Sequence, residues 1–414
     1  MPLALLILLV LVAWPLSAVA GFDGGHAKVQ GLTSTYPDDS IFRTALGSNA
    51  QDWAGELRLK FRGDTGPWSI KADYQLIPRY GDSLELSEQF GSGLLLPPAV
   101  PTDDRRWWDL THEIDESGDH IIVQRLDRLH LDYIGDKTVL RFGRQAVSWG
   151  NGLIYNPMDV FNPFDPAAVD TEYKLGDDML YAQYLTDSGN DWQFVQVFRR
   201  DDGGDLTQQV NSSALKFHGF GGDREYDLLL AQHYDEIMLG VGGSASWGGA
   251  VVRGDITLTE TEDDWVASVV ANWSYSWVWG GRNVSAVTEY FFNGFGLRQS
   301  EYSLENIQAN TDLVDRIARG ELYNLGRHYV AASLMLEVTP LLRLTPVVFL
   351  NLGDSSALTQ LVAQWDFHQD WQLLGAVNVP IGPAGTEYGG VETGVGEFTL
   401  STGPSLFAQL AWYF

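Results

Sequence analysis

The sequence has no cysteine among its 414 residues, and this absence narrows the chemistry of the chain. Disulfide bonds, thiolate metal sites and thiol nucleophiles are all excluded. Motifs for a phosphate loop, a dinucleotide site or a His-Glu-x-x-His zinc site are also missing. We therefore predict no metal, no cofactor and no catalytic residues, and a fold that is stable without covalent cross-links.

Basic residues are scarce, because 26 Lys and Arg stand against 54 Asp and Glu, for a net charge of −28. A nucleic-acid-binding protein needs a basic surface that complements phosphates, so a general nucleic-acid partner is excluded. Acidic runs at 201–205 and 260–264 fall between strand patterns and are typical of solvated loops. Binding of divalent cations by these runs is the alternative interpretation.

Long apolar runs are missing after the first 20 residues, so the rest of the chain contains no candidate transmembrane helix. Residues 1–20 are almost all apolar and end in Ala18-Val19-Ala20, the small-x-small pattern of a signal peptidase site. We interpret residues 1–20 as a cleaved signal peptide and residues 21–414 as one domain; an uncleaved anchor is the alternative. If the mature chain spans a membrane, it must do so as a β-barrel.

A two-residue alternation of apolar and polar side chains recurs along the chain. In residues 57–62, Leu57, Leu59 and Phe61 alternate with charged residues. Such alternation predicts strands with one apolar face and one charged face. The pattern gives about 18 antiparallel strands, with 16 as the alternative, joined by short and long connections in turn, as in a transmembrane barrel. Residues 178–185 and 191–200 alternate poorly, whereas residues 138–149 form a clear predicted strand. Residues 78–118 are a long second loop (loop 2), in which residues 107–115 are predicted to extend the next strand above the membrane, and residues 305–322 are predicted to form a short surface helix. A soluble antiparallel sandwich is the competing fold, but no second, inward-facing core is evident.

The C-terminus supports the barrel. Leu410, Trp412 and Phe414 share one strand face, and the chain stops at the aromatic residue. This ending resembles the signal by which the barrel-assembly machinery of Gram-negative outer membranes recognises its clients. The sequence thus predicts a bacterial outer-membrane location, with membrane lipids and the assembly machinery as partners.

The charged faces of the predicted strands near the N-terminus carry many cations. They are Arg58, Lys60, Arg62, Lys71, Arg128, His130 and Arg141. Charges in a narrow tube with low-dielectric walls are poorly screened, so this ladder would act on passing ions. We predict contacts with small polar or anionic solutes. The alternative is that Glu56, Asp73 and Asp132 neutralise the ladder, which then only stiffens the wall.

The third long loop, residues 149–175, is the predicted constriction. It contains Asn-Pro and Asp-Pro steps that fix turns, and long loops with rigid turns are often functional. The residues assigned to the constriction are Trp149, Asn151, Tyr155, Asp159 and Asp165. A lid packed on the barrel rim is the alternative.

Arg144 breaks the alternation, because Leu140 and Phe142 place it on the lipid face. A β-bulge beside Gly143 would re-aim it, and a position near the membrane surface would let it snorkel. The sequence leaves these alternatives open.

The strand RFGRQ followed by SWG contains Arg141, Gly143, Arg144, Gln145 and Trp149. With the phased strands and the terminal Phe414, it resembles porin-like outer-membrane barrels in which a Gly-Arg-Gln strand precedes a long loop, including families related to alginate exporters. The resemblance implies a pore and an inward-folding third loop.

Together these patterns predict an outer-membrane channel for passive diffusion of small polar or anionic solutes, and not an enzyme. One alternative is a non-conducting barrel that serves an envelope transport complex. Another is a hydrolase at the barrel rim, for which His233 with Asp235 and His112 with Glu113 are candidates without a recognisable motif.

Overall fold

The computed structural model describes residues 21–90, 100–298 and 302–414. Residues 1–20, for which a signal peptide is predicted, lie outside the described residues. The strands are β1 (Gly21–Thr35), β2 (Asn49–Thr65), β3 (Trp68–Gly81), β4 (Thr111–Ser117), β5 (His120–Ile134), β6 (Thr138–Gln145), β7 (Asp177–Leu185), β8 (Asp191–Val197), β9 (Ser212–Gly221), β10 (Arg224–His233), β11 (Glu236–Trp247), β12 (Ala250–Glu260), β13 (Trp265–Trp279), β14 (Arg282–Phe292), β15 (His328–Thr339), β16 (Leu342–Asn351), β17 (Ser356–His368), β18 (Trp371–Ile381), β19 (Val391–Glu392), β20 (Thr399–Leu400) and β21 (Ser405–Tyr413).

The main sheet closes into a barrel. It contains 19 strands, and one of them, β4, pairs only with β5. The other 18 strands are antiparallel neighbours, and β21 completes the ring by pairing with both β1 and β18. Phe414 adds two backbone hydrogen bonds to Gly25 at this seam, of 2.8 and 3.1 Å. The predicted 18-strand barrel is confirmed. The 16-strand alternative is wrong because the ring contains 18 strands, and the sandwich is wrong because the closed ring leaves no sheet edge.

Between the described strands, the connections at one end of the barrel are all short, whereas the long ones lie at the other end, together with short ones such as residues 234–235, 261–264 and 352–355. We call the end with tight connections, such as residues 66–67 and 280–281, the turn end. The opposite, loop end carries helices α1 (Ile41–Leu46), α2 (Asp82–Phe90), α3 (Leu304–Gln308) and α4 (Thr311–Ala318). The short helix predicted at residues 305–322 is in fact the pair α3 and α4. None of the helices in these described stretches is long and apolar enough to cross a membrane.

The outer surface carries an apolar band between aromatic residues. Leu230, Leu239 and Leu361 lie in the band and are about half exposed. Exposed aromatic side chains occur near both barrel ends, at Trp68, Trp192, Trp247, Trp279 and Trp412 near the turn end and Trp53, Tyr80 and Trp265 near the loop end. An apolar band between aromatic girdles matches the hydrocarbon core and interfaces of a bilayer.

Loop 2 completes the barrel wall where β6 is short. The predicted strand at 138–149 ends four residues early, at Gln145. β4 pairs with the first half of β5, at Thr111↔Arg125, and β6 pairs with the second half, at Leu129↔Arg144. Of the segment predicted to extend the next strand above the membrane, 107–115, residues 111–115 instead belong to the separate strand β4, which fills the wall beyond the end of β6.

Candidate functional site

The third loop, residues 146–176 and hereafter loop 3, folds into the barrel and is fixed to the opposite wall. The Glu289 carboxylate on β14 accepts hydrogen bonds from three successive backbone N–H groups, those of Leu153 (2.7 Å), Ile154 (3.0 Å) and Tyr155 (2.5 Å). Asp255 on β12 accepts from the backbone N–H of Asn151 (2.6 Å) and from its side-chain amide (2.7 Å). Two buried carboxylates thus position the first half of the loop.

Apolar side chains of loop 3 cover the inner faces of β7 to β11. Trp149, Met158 and Phe161 are buried against Val195 and Met238, among other inward-facing residues. The indole N–H of Trp149 donates to Gln193 (2.7 Å). Because the loop packs on these strands, their inner faces are apolar like their outer faces, which explains why 178–185 and 191–200 show poor alternation.

A second apolar cluster surrounds Tyr155. Its ring stacks on Phe291 with ring centroids 4.9 Å apart and lies 5.7 Å from Tyr329. Phe349 and Val270 belong to the same buried cluster. Loop 3 therefore buries apolar surface against β13 to β16 as well.

The second half of loop 3 returns along the remaining wall. Gln360 on β17 donates to the backbone carbonyl of Ala167 (2.9 Å). The Lys28 ammonium on β1 lies 2.7 Å from the carboxylates of both Asp170 and Glu172. Near the end of the loop, Lys174 donates to Asp159 at 2.6 and 2.7 Å. The loop thus follows the inside of the barrel around most of its circumference.

Open space remains along the inner faces of β1, β2, β3, β5 and β6, which we call the basic wall. Two cavities of about 180 and 360 Å³, the outer cavities, lie toward the loop end and are lined by Gln30 and, in the first, Arg79. A third cavity of about 280 Å³, the inner cavity, lies toward the turn end and is lined by Lys60, Lys71 and Arg141. Tyr173 of loop 3 lines all three.

Most cations of the basic wall are paired with buried acids. Arg58 and Arg128 both contact Asp127, at 2.8 and 2.7 Å. Asp132 accepts from His130 (2.7 Å) and from Arg141 (2.9 Å). Such pairs hold the wall rigid, and they neutralise part of its charge.

Two lysines of the inner cavity stand apart. Within the described ranges Lys60 and Lys71 form no ion pair, and both are half-buried and line the cavity. The lining of this cavity contains four Lys and Arg, Lys60, Lys71, Arg128 and Arg141, against Asp23 and Asp73. Cations therefore outnumber acids in the lining itself, although Arg128 and Arg141 are paired with Asp127 and Asp132 behind it. Arg62, the remaining predicted lumen cation, is exposed near the turn end and pairs with Asp64 (2.9 Å).

The predicted constriction residues hold the loop rather than line the cavities. Burial raises the pKa of the Asp159 carboxyl to about 6, although the adjacent Lys174 acts to lower it. Asp165 accepts from the backbone N–H of Ala167 (2.9 Å) in a local turn. Neither aspartate, nor Trp149 or Tyr155, lines the three cavities. Solute contact by the aspartates remains a prediction.

Arg144 is buried in an ion-pair cluster, which neither predicted alternative describes. The β5–β6 register runs through it without a shift, and its side chain is 0% exposed, so it is neither displaced by a bulge nor snorkelling. It donates to Asp178 (2.8 Å) and to Asp103 (2.7 Å) of loop 2. Burial acts to raise the pKa of the Asp103 carboxyl, but nearby arginines, with Arg144 foremost, hold it below its usual value. The cluster joins loop 2 to the end of β6.

Of the candidate rim hydrolase residues, His233 lies in a buried hydrogen-bond network, whereas His112 and Glu113 are exposed on β4. His233 contacts Glu321 (2.9 Å) and Ser212 (2.8 Å) instead of Asp235. Ser212 is only 2% exposed, and its hydroxyl also accepts from Arg199 (2.7 Å). The serine oxygen is thus closed to solvent and engaged by a guanidinium, whereas His233, Glu321 and Arg199 line a cavity of about 400 Å³ at the loop end.

The C-terminal residues Leu410, Trp412 and Phe414 lie on the outer face, each about 40% exposed. The Phe414 ring packs 4.7 Å from Trp412 and 6.0 Å from Phe22 of β1. Their recognition by the assembly machinery remains a prediction.

The sequence interpretation missed the groups that position loop 3 and divide the open space: Lys28, Asp127, Tyr173, Asp255 and Glu289. Acids on predicted inward faces were one available signal, since Asp255 and Glu289 stand between apolar neighbours in their strands. Over the described stretches, no group of three or more His, Asp or Glu residues could hold a metal ion.

The fold is that of known porins. A BenF-like porin from Pseudomonas fluorescens Pf-5 matches with a TM-score of 0.54 and 9% identity, covering 94% of this chain and 97% of that chain. Acinetobacter baumannii OccAB4 matches with a TM-score of 0.52 and 9% identity, covering 97% of this chain and 99% of that chain. Pseudomonas aeruginosa OccK5 (OpdH) matches with a TM-score of 0.53 and 8% identity, covering 94% of this chain and 97% of that chain. No protein-family model and no curated protein matches the sequence. The resemblance to porin-like barrels is confirmed at the level of the fold.

Proposed function

We propose that this protein is a passive outer-membrane channel for small anionic solutes, and that the solute path follows the basic wall. The observation that carries the proposal is the distribution of open space. Loop 3 fills most of the barrel against β7 to β16, where a further cavity of about 400 Å³ lies at the loop end, and three cavities remain along the basic wall. A channel whose free charges are of one sign favours ions of the opposite sign, because the low-dielectric wall screens the lining charges poorly.

The outer-membrane location rests on the apolar band, the aromatic girdles and the C-terminal aromatic strand. The structurally similar proteins named as porins fit the same role. Transport would be driven by the solute gradient alone.

Lys60 and Lys71 are the proposed source of anion preference. Arg58, Arg128 and Arg141 are paired with carboxylates, so their net field is small. The two lysine ammonium groups have no such partner among the described residues, and they border the inner cavity.

The test is the reversal potential of the refolded chain in a planar bilayer under a salt gradient. The wild type should conduct with anion preference, and Lys60→Ala with Lys71→Ala should lose most of that preference while conductance persists. Lys137→Ala is the matched control, since this exposed turn lysine pairs with Asp187 outside the lumen, and its reversal potential should be unchanged.

A wild-type barrel that folds but never conducts would contradict the channel. That result would favour the alternative of a non-conducting partner in an envelope transport complex.

A further inference from the structure

Tyr173 occupies the point where the three cavities meet. It is half-buried near the end of loop 3, and its ring lines both outer cavities and the inner cavity. A solute that passes from the loop end to the turn end along the basic wall must therefore pass this ring.

The residues on either side of Tyr173 are held by side-chain contacts, on one side to the barrel wall and on the other within loop 3. On one side, Asp170 and Glu172 are held by Lys28 of β1. On the other side, Lys174 donates to Asp159 and also to the carbonyl of Val147 (2.7 Å). Because its neighbours in the chain are held in place, the Tyr173 side chain can move only by rotating about its own bonds.

The ring lies against three cations and against the imidazole ring of His26, whose centroid is 5.2 Å away. The Arg58 guanidinium is 4.0 Å from the ring centroid, the Lys60 ammonium 5.1 Å and the Lys28 ammonium 5.8 Å. These distances fit cation–π attraction, which is modest in energy. In the structure as described, the phenol hydroxyl of Tyr173 forms no hydrogen bond, so nothing but the face of the ring holds it in place.

We propose that Tyr173 is the gating residue of the channel. Its ring separates the outer cavities from the inner cavity and rests on Arg58 and Lys60, and it swings aside when an anionic group takes its place on the unpaired ammonium of Lys60. This inference rests on the proposed channel function and adds to it a specific element that decides which solutes pass.

Single-channel recordings of the full mature chain test the gate, with potassium chloride as the permeant salt. Tyr173→Ala should raise conductance about twofold or more, because the constriction is lined by one side chain fewer. Tyr173→Phe should match the wild type, since the ring face is retained. Tyr173→Leu keeps bulk but has no π face, so it should open more often than Tyr173→Phe and conduct less than Tyr173→Ala.

Phe164→Ala is the matched control, because Phe164 is an exposed aromatic residue of the same loop that lines none of the three cavities. It should leave conductance unchanged. Heat-modifiable gel mobility shows that each variant has folded.

If wild type and Tyr173→Ala conduct equally, the gate is wrong while the channel stands. If Tyr173→Leu conducts as Tyr173→Phe does, then cation–π attraction does not hold the ring in place. If neither wild type nor Tyr173→Ala conducts, the channel itself is contradicted.

Discussion

Arg144 shows how a charged side chain becomes structural in this barrel. Its guanidinium is fully buried between Asp178 on β7 and Asp103 in loop 2, and it also donates to the backbone carbonyl of Trp108 (2.5 Å). A buried cation is tolerated because each of its polar edges has an acceptor. The alternation pattern identified Arg144 as an exception. Its partner Asp103 lies 41 residues away in an irregular loop, so the reason for the exception could not be predicted.

Replacing Arg144 with methionine should destabilise the barrel strongly. Asp178 would remain buried without its cation, and Asp103 would keep only the longer contacts to Arg106 and Arg125, so the loss should be near the ~3–5 kcal/mol typical of a broken buried pair. Unfolding of the refolded barrel by denaturant, followed by tryptophan fluorescence, measures the loss. Arg62→Met removes an exposed pair near the turn end and should cost no more than about 1 kcal/mol. Equal losses in the two variants would contradict the structural role of the buried cluster.

At the scale of elements, loop 3 depends on acids contributed by distant strands. Glu289 is 135 residues from Ile154 in sequence, and Asp255 is 104 residues from Asn151. The alternation of side chains determines which face of a strand points inward, and it predicted most strands well. The alternation does not show which loop contacts that face, because any inward-facing acid of the barrel could accept hydrogen bonds from the N–H groups of the loop.

Removing the Glu289 carboxylate should loosen loop 3 without opening the barrel. In Glu289→Ala, three backbone N–H groups of residues 153–155 lose their acceptor, so we expect larger current fluctuations in single-channel records. Limited proteolysis should also cut within residues 146–176 sooner than in the wild type. Glu262→Ala removes an exposed loop acid and is the control. Steady currents and unchanged cleavage in Glu289→Ala would show that the apolar packing alone positions the loop.

At the scale of the whole molecule, the barrel has two functionally different halves. Charged residues on β2, β3, β5 and β6 face open space, whereas the inner faces of β7 to β16 are largely covered by loop 3. The sequence predicted the basic ladder and the inward loop separately. It could not predict that they lie side by side, because their relative position depends on barrel closure and on contacts such as Lys28 with Asp170, 142 residues apart.

The absence of cysteine permits a direct test of where the solute path lies. A single cysteine introduced as Lys71→Cys can be modified with a bulky, charged methanethiosulfonate during single-channel recording. If the path follows the basic wall, the current should fall in discrete steps when the reagent is added. Val195→Cys, placed under loop 3 where the side chain is 0% exposed, should show no change. A blocked current in Val195→Cys, or an unaffected current in a fully labelled Lys71→Cys channel, would contradict this path.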